Sequence, residues 1–395
     1  MPPIDSAICL PRDLDRALLV GRLWRPAPID GPCIVAIRNG QVFDITVFAP
    51  TMADLLERDD ALDIAAHSPG EPLGSVAELM QSKLLQSHGA QAPQLLAPCD
   101  LQAVKACGVT FAVSLLERVI EERAGGDAEQ ANRVREELKQ QLGSDLARVR
   151  PGSEGAMRLR ETLLTQKLWS QYLEVGLGPD AEVFTKSQPM SSVGFGDDVG
   201  LLPASQWNNP EPEIVLAVNS RGKVMGATLG NDVNLRDIEG RSALLLGKAK
   251  DNNGSCAIGP FIRLFDQHYT IDTVRQSQVA LRIEGDDGFV LDGHSSMLEI
   301  SRDPLDLVSQ TYGAHHQYPD GFMLFLGTMF SPIKDRDAEG GGFTHHFGDR
   351  VVISTESLGG LVNTVQSSCA ITPWTFGVRA LYANLARRGL PASGT

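Results

Sequence analysis

The sequence is poor in positive charge, has no paired cysteines, and contains no long apolar run. Its 395 residues carry 35 Lys and Arg against 49 Asp and Glu, for a formal net charge of −14 at pH 7. So acidic a chain makes a poor partner for nucleic acid or an anionic membrane, whose contacts need clustered cations. An anionic substrate would instead have to be met by a local cation. Six cysteines, Cys9, Cys33, Cys99, Cys107, Cys256 and Cys369, are scattered with no Cys-x-x-Cys pair. At this length that excludes a disulfide scaffold. No stretch is long and apolar enough to span a bilayer. No basic head followed by an apolar core and a cleavage site opens the chain, so a cytoplasmic, reducing compartment is expected. Repeats and low-complexity segments are absent too.

What remains is the composition of an ordinary globular protein, long enough for two or three domains and a large core. Residues 1–101 read as a small N-terminal α+β domain. Two β-rich runs there flank Asn39-Gly40, a hairpin signal, and Thr51 to Asp54 has the spacing of a helix capping box. Residues 102–178 read as helical. Val113, Leu116, Val119 and Ile120 repeat at helical spacing, which leaves Glu121, Glu122 and Arg123 outside. A charged, exposed helix is expected over 127–142, and a third helix, capped by Ser153, through Met157, Leu163, Leu164, Leu168 and Tyr172. Residues 179–395 turn to short strands broken by Gly, Asp and Pro, as in a sandwich or barrel-like β domain. One helix is expected at 304–312 and a short one at 380–388. The fold class is α+β.

The densest chemistry lies in 209–232. Ile214 to Val218 and Val224 to Leu229 read as two strands joined through Asn219-Ser220-Arg221-Gly222. Glu211 and Glu213, two apart, share a strand face. If Asn219 pairs with Gly222, Glu211 lies opposite Gly230 with Asp232 its diagonal neighbour; a one-residue bulge at Gly222 would send Asp232 to the other face. Three clustered carboxylates repel unless a cation sits among them, and hard divalent ions take oxygen ligands. The competing reading is two solvated strand glutamates and an unrelated turn aspartate, and spacing alone favours it. Adjacent His315-His316 and His345-His346 point apart on any regular element and are not natural chelates.

Three motifs in order shift that balance. They are Glu211-Pro212-Glu213, then Gly230-Asn231-Asp232-Val233-Asn234-Leu235-Arg236-Asp237, then Lys250 six residues before Cys256-Ala257-Ile258-Gly259-Pro260. Together they resemble the fumarylacetoacetate hydrolase superfamily over about residues 184–365. The resemblance implies a C-terminal mixed β-sandwich roll, with the extra helices as an insertion. It implies that Glu211, Glu213 and Asp232 hold Mg²⁺ (or Mn²⁺ or Ca²⁺), and that the metal chelates a 2-oxo acid and polarises it. Lys250 matches the family's active-site lysine, with Lys248 as competitor. Gly327-Thr328 resembles the family's carboxylate-holding Gly-Thr-Pro, with Met329 in place of Pro. Lys186 resembles a lysine lining the site, and Arg236 and Asp237 are expected to brace the metal loop. Cys256 reads as a small buried residue rather than a nucleophile.

The departure lies in Gly108-Val-Thr-Phe-Ala-Val-Ser-Leu-Leu-Glu117, which is similar to the family's Gly-x-Asn-Tyr-x-x-His-x-x-Glu. Ser114 replaces the His, and a lone hydroxyl cannot act as that base. Glu117 is kept. This resembles the sugar-acid dehydratase branch, in particular the 2-keto-3-deoxy-pentonate (xylonate or arabinonate) dehydratases. The implied activity is a hydro-lyase that removes the C3 proton, expels the C4 hydroxyl and yields 2-oxoglutarate semialdehyde, with Glu117 or Lys250 moving protons. The alternatives are an acylpyruvate-type carbon–carbon hydrolase and a non-catalytic β-domain protein stabilised by its metal. The expected partners are a small 2-oxo acid and a second copy of the chain, as homodimer or homotetramer.

Overall fold

The computed structural model describes residue 4 and residues 6–85, 92–131, 133–135, 150–165, 169–338 and 342–390. Of the expected helices, 132, 136–142 and Leu168 lie outside the described residues.

Eighteen strands are present among the described residues. In chain order they are β1 (Leu19–Arg25), β2 (Gly31–Arg38), β3 (Gln41–Asp44), β4 (Glu71–Ser75), β5 (Gln94–Leu96), β6 (Ala103–Cys107), β7 (Val183–Ser187), β8 (Asp198–Leu201), β9 (Asn208–Asn209) and β10 (Pro212–Val218). They continue with β11 (Val224–Asp232), β12 (Asn234–Leu235), β13 (Cys256–Leu264), β14 (Gln278–Glu284), β15 (Val290–Ser296), β16 (Phe322–Phe325), β17 (Arg350–Thr355) and β18 (Gly359–Ser367). One large sheet runs β4-β3-β2-β1-β13-β11-β10-β16-β6-β7, with β5 also on β1; a second runs β15-β14-β17-β18-β8. Both are mixed: β16 pairs with β6 and β18 with β8 in parallel, the rest antiparallel.

The strand at the centre is apolar on both faces, and that decides the layering. Ile214, Leu216 and Val218 of β10 pack with Val279, Leu281, Ile283, Val351 and Ile353 of the second sheet. Val215 and Ala217, on the opposite face, pack with Met52, Leu55, Leu56 and Ile64 of the helices Met52–Glu57 and Ala61–His67. A strand buried on both sides reads as a continuous hydrophobic run, with no alternation. The architecture is α+β, as expected.

The N-terminal strands do not form a separate sheet. β1 pairs with β13, so the large sheet crosses the boundary expected near residue 101, and β6 joins β16 across the one expected near residue 178. Local patterning shows each strand but not its partner, and these partners are more than 200 residues apart. The Asn39-Gly40 turn has φ of 49° and 72°, the left-handed geometry those residues tolerate. Thr51 and Asp54 form the expected capping box.

The helical segment gives Ala112–Arg123, Glu154–Thr165 and Gln171–Leu177, the last capped by Ser170. The third expected helix is therefore two helices. Val113, placed on the apolar face by its spacing, is 53% exposed, whereas Glu121, placed outside, is buried. Ion pairs inside the protein explain Glu121: Arg118 and Arg236 both reach it, at 2.6 and 3.3 Å.

Candidate metal centre

The hairpin β10–β11 brings the acidic residues together. Glu213 lies opposite Gly230, and the Asp232 N–H donates to the Glu211 carbonyl at 3.0 Å, which puts Asp232 directly across from Glu211. This register is two places from the sequence expectation. One step comes at the turn, where Val218 pairs with Val224; the second is a bulge at Met225, after which Ala217 pairs with Gly226. Two single-residue shifts restore the side-chain parity that either alone would invert. All three acids stay on one face. One oxygen of each lies within 4.8 Å of the others, and all three residues are buried.

Three buried carboxylates need compensation. Lys250 Nζ donates to Glu211 Oε2 at 2.7 Å and to Asp232 Oδ2 at 3.1 Å. Lys186 Nζ pairs with Asp232 Oδ1 at 2.8 Å. Arg118 donates from one amino group to Glu211 Oε1. Among the described residues Glu213 receives only neutral donors: the Gly327 N–H to Oε2 at 2.7 Å and the Thr328 hydroxyl to Oε1 at 3.4 Å. The charge balance follows this pattern. Burial pushes the Glu213 carboxyl well above its ordinary range, and Asp232 and Glu211 add to the effect. Burial works the same way on Asp232, but Lys186 and Lys250 outweigh it and hold that carboxyl below its usual value.

The donor set fits a hard divalent cation. It offers oxygen atoms alone, converging from three side chains, one of which has no lysine or arginine paired to it among the described residues. Glu211, Glu213 and Asp232 would hold the ion.

The remaining sequence candidates divide. Lys250, at the end of the helix Leu246–Lys250, is buried at the centre, whereas Lys248 is exposed. Burial disfavours the Lys250 charge, but Asp232, Glu211 and Glu239 outweigh it, so the side chain stays an ammonium: a donor, not a base. Lys186 forms an ion pair with Asp232 and donates to the Val233 carbonyl at 3.1 Å and the Lys250 carbonyl at 2.7 Å. Its contacts within the protein hold it against the acidic cluster. Gly327 likewise gives its N–H to Glu213. Thr328 follows it with a long, weak contact, the freer donor of the two.

Ser114 and Glu117 do not reach the carboxylates. The Ser114 hydroxyl donates to the Phe111 carbonyl at 2.9 Å, back along its own helix. Glu117 takes Arg135 on both oxygens, at 3.0 and 2.8 Å. Arg118 points to the metal centre instead. It shares a helix face with Ser114, four residues earlier, whereas Glu117 is turned away by about 100°. Arg236 stacks on Trp207, with 5.4 Å to the ring centroid, and donates to Asn209 Oδ1 at 2.8 Å; Asp237 accepts from the Ser205 hydroxyl at 2.7 Å. Both brace the loop. Cys256 is buried, with its thiol pushed up by that burial. His345 is held by Asp349 at 2.9 Å, and His346 lies near Asp337.

Sequence reasoning missed Arg118, Glu239 and Glu182. Arg118 and Glu121 sit i, i+3 among apolar residues of one helix, a pattern that could have signalled a buried pair. Glu182 had no local signal. It precedes β7, and an ideal Cβ on Gly108 would fall 1.8 Å from its Oε2, so only glycine leaves room for this carboxyl. Burial, then the Glu239 charge, pushes Glu182 up to about 7, with Arg118 and Lys250 opposing.

Residues 176–366 match the fumarylacetoacetate (FAA) hydrolase C-terminal family. A protein of Haloferax volcanii named as a probable 2-keto-3-deoxyxylonate dehydratase is 31% identical over 194 residues, 49% of this chain and 63% of that protein. The chain thus spans less than two thirds of that relative. The 2-dehydro-3-deoxy-D-arabinonate dehydratase of Saccharolobus solfataricus is 27% identical over 234 residues, 58% of this chain and 72% of that protein. Among solved structures, a 2-keto-3-deoxy-D-arabinonate dehydratase complexed with magnesium and 2,5-dioxopentanoate superposes with a TM-score of 0.61 at 20% identity, over 88% of this chain and 99% of that one. The fumarylacetoacetate hydrolase of Exiguobacterium antarcticum does so with a TM-score of 0.54 at 17% identity, over 89% and 100%. At such identities these superpositions establish the fold. The sequence similarity to the fumarylacetoacetate hydrolase C-terminal family is thus carried by residues 176–366, a little under half of the chain.

Proposed function

We propose that this protein is a metal-dependent hydro-lyase that converts a 2-keto-3-deoxy-pentonate to 2-oxoglutarate semialdehyde. The observation that carries this reading is the buried cluster of Glu211, Glu213 and Asp232, flanked by the ammonium of Lys250; the motif resemblance, in which Ser114 replaces the family's histidine, points the same way. The names of the two sequence relatives support the same class. Mg²⁺ held by the three carboxylates would supply Lewis-acid polarisation of a 2-oxo acid, easing loss of the C3 proton.

The chain's own groups would do the rest. Lys250, fixed as a donor, stabilises negative charge as it develops on the substrate. Thr328 orients the substrate carboxylate through its hydroxyl. Glu182, titrating near neutrality, can both take a proton and return one. The C3–H and C4–O bonds break, a C3=C4 double bond forms, and the hydroxyl leaves as water with one proton. Proton shifts then move the double bond to C4=C5, whose enol tautomerises to the aldehyde.

The test is incubation with 2-keto-3-deoxy-pentonates and Mg²⁺, following aldehyde formation, beside an acylpyruvate control. We expect aldehyde from a pentonate, and its loss on chelation with the fold largely retained. Cleavage of the acylpyruvate alone, or no product from any substrate, would overturn the reading. A collapse of the fold on chelation would point to a structural metal.

A further inference from the structure

Arg118 reaches the metal-binding carboxylates from the helix Ala112–Arg123, a segment that contributes no ligand to the centre. Its guanidinium is nearly enclosed. One amino group meets Glu121 Oε2 at 2.6 Å and Glu239 Oε2 at 3.3 Å; the other meets Glu211 Oε1. Lys250 takes the second oxygen of Glu211. An arginine so placed stays charged at any working pH. With Lys186 and Lys250 it brings three positive charges against the three carboxylates of Glu211, Glu213 and Asp232.

A fixed charge touching a metal ligand has two opposed effects. It repels an arriving divalent cation through the shared carboxylate, and it attracts negative charge that develops on a chelated substrate. Both effects are large in a dry site, where charges several ångströms apart interact well above thermal energy. Lys186 differs from Arg118 because two backbone carbonyls also hold it. The carboxylates of Glu121 and Glu239, in turn, partly offset the Arg118 charge, and Glu239 lies 3.9 Å from Lys250 as well.

We propose that Arg118 is a positioning residue that sets the charge of the metal centre, holding divalent-cation affinity down while favouring the anionic form of the bound 2-oxo acid. The first half concerns the metal alone; the second rests on the dehydratase reading. The arrangement trades tight metal binding for charge complementarity to the reacting substrate. A residue that only packed the helix against the centre would do neither.

Calorimetric titration of the full chain with Mg²⁺ separates these roles. In R118Q the Mg²⁺ dissociation constant should fall by about tenfold or more, while turnover of the 2-keto-3-deoxy-pentonate drops about a hundredfold with KM changed far less. R118K, which keeps the charge, should stay within about threefold of wild type in metal affinity. E239Q removes one of the charges that offset Arg118 and should weaken Mg²⁺ binding. It also decides the matter if circular dichroism shows R118Q unfolded. Unchanged or weaker Mg²⁺ binding in a folded R118Q, or unchanged or tighter binding in E239Q, would overturn the proposal. A wild-type protein that binds Mg²⁺ but makes no aldehyde would instead sink the dehydratase reading and leave the metal-affinity result standing.

Discussion

Replacing Lys186 with Met tests how the acidic centre is held together. Met keeps most of the aliphatic stem and removes only the charged tip, so packing changes little. The tip is fully buried; it pairs with Asp232 at 2.8 Å and donates to the carbonyls of Val233 and Lys250 at 3.1 and 2.7 Å. Breaking a buried pair from one side costs about 3–5 kcal/mol, because the surviving charge is left in a poor solvent. Each orphaned carbonyl adds about 1–3 kcal/mol before relaxation. Lys250 still opposes Asp232, so these costs overlap, and we expect a total loss of about 4–6 kcal/mol. That is a large share of a typical domain's stability. Urea unfolding at pH 7 should show a lower midpoint at unchanged slope. The pH dependence has a definite sign. The folded Asp232 carboxyl sits below its ordinary value, so its ionised form stabilises the fold above about pH 4, and that contribution disappears as pH falls through the folded value. The gap between wild type and K186M should therefore be widest near neutrality and narrow in acid. A K186M midpoint equivalent to less than about 1 kcal/mol of loss at pH 7 would show that Lys186 does not carry this load.

Three further outcomes are expected. Glu213→Gln should abolish turnover and any Mg²⁺-dependent rise in Tm, yet leave the metal-free protein as stable or more so, because burial already disfavours the Glu213 charge; retained Mg²⁺ stabilisation would refute its role as a ligand. Gly108→Ala places a methyl where Glu182 Oε2 lies and should slow turnover about as much as Glu182→Gln does, roughly a hundredfold or more if that carboxyl moves protons, with little change in Tm; wild-type rates in either variant would remove Glu182 from the mechanism. Asp349 is pressed upward by burial but held down by His345 and Arg336, to about 2. Its charge therefore stabilises the fold above about pH 4 and ceases to do so near pH 2. Asp349→Asn should cost roughly 1–2 kcal/mol at pH 7 after solvent screening, with the difference vanishing in acid; a gap that does not depend on pH would contradict this.

Much of the fold was readable because its signals are local. The Thr51–Asp54 capping box, the Asn39-Gly40 turn, and the strands β14, β16, β17 and β18 each announce themselves within ten residues. So does the acidic hairpin, whose Glu-x-Glu spacing places two carboxylates on one face of a strand whatever its partner. What misled was the helix Ala112–Arg123. Its apolar period was read outward at Glu121 and inward at Val113, because a charge ordinarily marks a solvated face. Inside this protein the rule reverses: Arg118, Glu121, Arg236 and Glu239 satisfy one another out of water.

The three carboxylates proposed to hold a metal, their order, and the serine at 114 where the family it resembles has a histidine are written in the chain and need no coordinates. The register that puts Asp232 across from Glu211, the pairing of β1 with β13, and the meeting of Glu182 with Gly108 are not, because each depends on residues far apart in sequence or on a bulge with no composition of its own. Nor does the chain reveal which cation neutralises which carboxylate. Lys186 and Lys250 are marked by the family resemblance, but which carboxylate each one meets, and that Arg118 joins them from a third segment, is decided by packing in three dimensions.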